Sequence, residues 1–138
     1  YTIPIGQADI KREGEDATVV AIGPMVQKSL DAAVALEDDG YDIEVVDPRS
    51  LSPLDVDTIC ASVRKTGRAI VCGEDSTFAG AASEIAAMIS ESCFSDLKAP
   101  VRRIGSPHVP MPFSSELVKH VVPEKSHVID AVNQTMAA

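Results

Sequence analysis

The position best suited to chemistry is His108. It lies in a stretch, 105–112, that holds three prolines in eight residues. Imidazole titrates near neutral pH, and the prolines make the backbone around it rigid and irregular. The plain reading is a surface or packing histidine; the functional one is contact with a partner. Glu74-Asp75 is a carboxylate pair of the kind used for acid–base work. No nucleophile or metal-ligand set accompanies it, and it reads as a loop cap. Asp47 and Arg49, two residues apart, face one side of a strand and read as a structural ion pair. The span from Gly73 to Gly80 is too poor in glycine for a phosphate cradle and reads as a strand-to-helix loop. No GxGxxG follows the first strand, and no GxxxxGKS or GxxxxGKT occurs, so dinucleotide and P-loop fingerprints are absent. Cys60, Cys72 and Cys93 are odd in number, widely spaced and set among apolar residues. They imply neither a zinc site nor a disulfide framework, and read as buried thiols in a reducing compartment.

Met111 and Phe113 are apolar side chains in a segment that should be solvated. Either they turn inward and staple the loop to the core, or they face another chain. Glu116, Lys119 and His120 follow on a short helix able to line the same surface. His108, Met111, Phe113, Glu116 and Lys119 form the candidate partner-binding set. His120 and His127, in polar C-terminal helices, read as solvated.

These residues need a scaffold, and the pattern of apolar residues supplies one. Short β-branched runs at 17–22, 43–46, 68–72 and 101–104 predict strands. Helical spacing predicts helices from Met25 to about Gly40, from Ser52-Pro53 to Gly67, over 80–93, over 114–121, and from Pro123 onward. Ser52 is the expected cap of the second helix, with Pro53 in its first turn. Residues 1–16 read as an irregular opening segment. Strands alternating with helices give an open, mainly parallel α/β sheet. The core must be aliphatic: the 138 residues are 45% apolar and contain no Trp, which suits strands covered by helices on both faces. That length gives one domain, 1–138. A net charge of −9 argues against nucleic acid and anionic membrane as partners. No run is long and apolar enough to span a bilayer, and no signal peptide is expected. The chain opens Tyr1-Thr2-Ile3-Pro4 without a Met and is expected to be a piece of a longer protein.

Several segments, in order, resemble one family. Ile3-Pro4-Ile5-Gly6-Gln7-Ala8, Arg12-Glu13-Gly14 and the run 17–22 resemble the opening of the C-terminal domain of 2-oxo acid dehydrogenase beta subunits. So do Asp47-Pro48-Arg49-Ser50-Leu51-Ser52-Pro53-Leu54-Asp55, Ala99-Pro100-Val101-Arg102-Arg103-Ile104 and Val109-Pro110-Met111-Pro112-Phe113. The resemblance implies a transketolase-type C-terminal fold: three layers, α/β/α, around a mostly parallel five-stranded sheet with one antiparallel strand. The fifth strand is expected within 1–12 or near 120–122. It also implies a decarboxylase component of two alpha and two beta subunits that uses thiamin diphosphate and magnesium, acts on a 2-oxo acid or acetoin, and acylates a lipoyl group. Catalytic, cofactor and metal residues belong to other parts of that assembly, so none is carried onto this chain. The implied partners are the alpha subunit, a second beta subunit and the lipoyl acyltransferase core, in a bacterial cytoplasm or mitochondrial matrix.

The chain departs from the family in three places. Ala79-Gly80-Ala81-Ala82-Ser83-Glu84-Ile85 lacks most of the family's glycines, and His108 and Val118 stand where relatives often have acids. Two rival readings are another thiamin enzyme of the transketolase or deoxyxylulose-phosphate synthase type, and a stand-alone receiver-like module. The latter rests on Leu36-Glu37-Asp38-Asp39-Gly40-Tyr41 alone.

Overall fold

The β-branched runs do form the strands, and the helices between them cover both faces. The computed structural model describes residues 2–138. In chain order the elements are β1 (Asp9–Arg12), β2 (Ala17–Ala21), α1 (Met25–Glu37), β3 (Ile43–Asp47), α2 (Val56–Thr66), β4 (Ala69–Ser76), α3 (Ala81–Cys93), β5 (Arg102–Ser106), α4 (Ser115–Val121) and α5 (Lys125–Ala137). A single 3₁₀ turn, Phe94–Asp96, follows α3. The sheet runs β1-β3-β2-β4-β5. All pairs are parallel except β1 with β3.

Alternation along the strands divides the core in two. Val19, Val45, Ile70, Cys72 and Ile104 point toward α1 and α5, meeting Met25, Leu36, Val128 and Val132. Val20, Val46, Ala69 and Val71 point the other way, toward Ile59 and Val63 of α2 and Ile85 and Ile89 of α3. β2 is buried along its whole length, as a central parallel strand must be. Its one polar residue, Thr18, bonds to the hydroxyls of Ser62 and Thr66 on α2, each at 2.8 Å, so no polar group is left unsatisfied there.

The structure corrects three expectations. The opening segment is not wholly irregular: Asp9–Arg12 is the antiparallel edge strand, within the first of the two places named for the fifth strand. Four residues, three of them charged and only Ile10 apolar, carry too little periodicity to read. The second helix begins at Val56, not at Ser52-Pro53. Its cap is Asp55, whose carboxylate accepts the backbone N–H of Thr58 at 3.1 Å, the Thr58 hydroxyl at 2.7 Å and the N–H of Ala8 at 2.9 Å. One carboxylate thus satisfies the helix start and anchors the opening segment, which Ser52 does not reach. β4 runs past Cys72 to Ser76, because pairing with β5 resumes at Ser76 and Ser106 after a local irregularity.

Candidate interaction surface

The C-terminal ends of β4 and β5 set the geometry. Asp75 accepts the N–H of Ala81 at 2.8 Å and so caps the start of α3, as the carboxylate pair was read. Glu74 lies 3.8 Å from Lys28, an ion-pair partner and not a catalytic one. Gly80 closes this turn tightly: a Cβ there would stand 2.1 Å from the carbonyl oxygen of Ser76. Across the strands, the Ser106 hydroxyl donates to the Glu74 carbonyl at 2.5 Å, and the Thr77 N–H donates to the Ser106 carbonyl at 3.0 Å. These bonds hold the loop 77–80 beside the proline-rich loop 107–114.

Side chains on the two loops meet. The rings of Phe78 and His108 lie 4.5 Å apart, centre to centre, tilted by 49°. Sequence reasoning missed Phe78, and the missed signal was composition. The chain has only three phenylalanines and no Trp, yet Phe78, Phe94 and Phe113 are all exposed. Phe113 is 106% exposed and Met111 50%, so neither staples the loop to the core. Val109 and Leu117 extend the apolar patch. Glu116 and Lys119 form an exposed pair at 3.2 Å one turn apart on α4, which buries none of its residues. The five candidate residues therefore share one continuous, outward-facing segment.

Other candidates separate from it. Arg49 pairs with Asp9 on β1 at 3.0 Å, while Asp47 accepts the backbone N–H of Arg49 at 2.8 Å. The expected Asp47–Arg49 ion pair is thus a backbone turn contact, because Arg49 has a positive φ of 58° that swings its side chain toward the edge strand. His127 is exposed but not idle: its Nδ1 accepts the N–H of Glu124 at 2.9 Å and completes the cap of α5. Cys60, Cys72 and Cys93 are buried and free. Burial pushes the Cys72 thiol up to about 11, against a weaker opposing contact from Ser29, and pushes Cys93 up to about 11 as well. Such thiols are not nucleophiles at neutral pH. Among the described residues no cluster of three His, Cys, Asp or Glu side chains is placed to hold a metal ion.

The family model for the transketolase C-terminal domain matches residues 6–128. The chain belongs to this family. The transketolase C-terminal domain seen here is 46% identical over 129 residues to the beta subunit of the acetoin:2,6-dichlorophenolindophenol oxidoreductase of Bacillus subtilis, covering 94% of this chain and 38% of that one. It is 52% identical over 114 residues to the pyruvate dehydrogenase E1 component subunit beta of Bacillus subtilis, covering 83% of this chain and 35% of that one. To the same subunit of Staphylococcus aureus it is 42% identical, covering 99% of this chain and 42% of the relative. The chain thus spans about two fifths of the length of these relatives. Among solved structures, a split-gene transketolase described as an inactive beta4 tetramer superposes with a TM-score of 0.85 at 31% identity, covering 99% of this chain and 43% of that one. Family membership removes the receiver reading, and the end of β2, Ala21-Ile22-Gly23, offers none of the acids a receiver needs.

Proposed function

We propose that this domain is the assembly and docking part of the beta subunit of a 2-oxo acid or acetoin dehydrogenase complex. In that complex the decarboxylase component acts on its substrate with thiamin diphosphate and passes an acyl group to a lipoyl carrier. The reading rests on the beta-subunit relatives, and one observation carries the docking role. The segment 107–119 presents Met111, Phe113 and Leu117 to solvent on a backbone stiffened by prolines. Prefixed backbone lowers the ordering cost of binding. The partners on this reading are the alpha subunit, a second beta subunit and the acyltransferase core, and His108, Met111, Phe113, Glu116 and Lys119 are the contact residues. Phe78 joins them through its contact with His108.

Thiamin diphosphate and magnesium are assigned to the remainder of the enzyme. The residues described here do not fit them. The α3 N-terminus, the obvious anion seat, is filled by the Asp75 carboxylate, and the Gly80 turn has no room for a phosphate group.

Phe113→Ala tests the docking role. Because Phe113 is fully exposed, the variant domain should unfold within about 0.5 kcal/mol of the parent. In the full beta subunit, assembly with its partners should weaken by about 1.5–3 kcal/mol, the value of burying one such side chain. Sedimentation velocity of the assembled complex reads the second quantity. Unchanged assembly overturns the role given to this segment.

A further inference from the structure

Among the described residues β5 pairs with β4 alone, so its other edge is open. The Ser106 carbonyl points at β4, where it accepts from Thr77. Successive residues of a strand aim their backbone groups at opposite edges, so those of Arg103 and Gly105 point outward. An unpaired strand edge is a template for a further strand.

Two grooves lie near this edge. On the α5 side a groove of about 520 Å³ is lined by Arg102, His127, Asp130 and Gln134. A second groove of about 760 Å³, lined by Phe94, Leu97, Pro100 and Val101, lies at the entry to β5 and takes in none of the strand's own residues. Phe94 is 79% exposed there. Side chains of a strand alternate between faces, so a strand added to β5 would send every second one toward Arg102 and the groove beside α5.

The charge on the edge selects the occupant. Arg103 is committed, donating to the Thr77 carbonyl at 2.6 Å and the Ser83 hydroxyl at 2.7 Å. Arg102 is not: its Nε is buried with no acceptor, and no described carboxylate pairs with it, although Asp130 lines the same groove. In a chain of net charge −9 the edge is a local basic reversal.

We propose that the β5 edge binds an extended acidic segment of another protein by strand addition, with a carboxylate answering Arg102. This edge is distinct from the segment 107–119, and the inference stands independently of the role proposed for that segment.

The probe is a synthetic peptide of alternating glutamate and valine, titrated into the 138-residue chain and followed by NMR and amide hydrogen exchange. Saturable binding is expected, with slowed exchange at the Arg103 and Gly105 amides. Arg102→Gln should weaken it about tenfold, the loss of one charge-assisted contact. A peptide N-methylated at alternate residues, which cannot pair along one edge, should not bind. Four results would each overturn the proposal: no saturable binding, equal affinity for a lysine–valine peptide, undiminished binding by the N-methylated peptide, or shifts centred on 107–114 and not on β5.

Discussion

Replacing Lys65 by Met isolates the one carboxylate that the described fold buries. Glu44 on β3 is 1% exposed. Its Oε1 accepts from the Gly14 N–H at 3.1 Å and from Lys65 Nζ, while Oε2 has no partner. Lys65 keeps 32% of its side chain in contact with water. The two substitutions that break this pair should therefore differ. Lys65→Met strands a buried charge on a single backbone donor and should cost about 3 kcal/mol, the low end of the range for such losses, because water reaches the position the ammonium held. Glu44→Gln removes the charge yet keeps an acceptor for Gly14, and should cost about 1–1.5 kcal/mol. Urea unfolding at neutral pH with equal m-values reads both. A Lys65→Met variant within about 0.5 kcal/mol of the parent, or a reversed order, would refute the reasoning. The pH dependence follows from Lys65. The hydrogen bond that Lys65 donates to Glu44 holds its ammonium above the usual lysine value, with burial opposing. A raised folded-state pKa means the contribution is complete below about pH 10.4 and is lost as pH rises through the folded value. The gap between parent and Lys65→Met should narrow in strong alkali.

Other outcomes are equally direct. Gly14→Ala places a Cβ 2.4 Å from the backbone of Ile43 and Glu44, which cannot yield, so it should cost about 3 kcal/mol in the same urea assay. Asp55→Ala should cost about 1–2 kcal/mol through the lost helix cap, and thermal melts should show that cost fading in acid. The Thr58 hydroxyl, helped by the Ala8 N–H, holds the Asp55 carboxyl below its usual value, so its stabilisation is present above about pH 3.9 and lost as pH falls through the folded value. Calorimetry of this chain with thiamin diphosphate and magnesium should show no saturable heat; a micromolar dissociation constant would place cofactor binding in this domain after all.

The sheet's central strands were legible because burial on both faces demands β-branched and small apolar residues, and 17–22, 45–46 and 69–72 consist of them apart from Thr18. β1 was not legible: an edge strand needs only one neighbour, and Asp9-Ile10-Lys11-Arg12 shows no hydrophobic period. Asp55 escaped as a cap because Ser52-Pro53 carries an equally good local signature, and the donor that separates them, Ala8, lies 47 residues away. Met111 and Phe113 stood out in the sequence as apolar residues in a proline-rich loop, but the direction they face was not readable from it.

Local pattern and composition thus determined the class of fold, the aliphatic core and the order of the elements after β1, and marked Met111 and Phe113 as apolar residues in a proline-rich loop. Hydrophobic period and proline content act over a few residues and leave their mark directly in the chain. Tertiary structure alone decided the pairing of Phe78 with His108, the burial of Glu44 against Lys65, and the open β5 edge with its unanswered Arg102. Each joins residues on different elements, or depends on which strand ends the sheet. The closing of long loops sets those relations, and no local spacing encodes them.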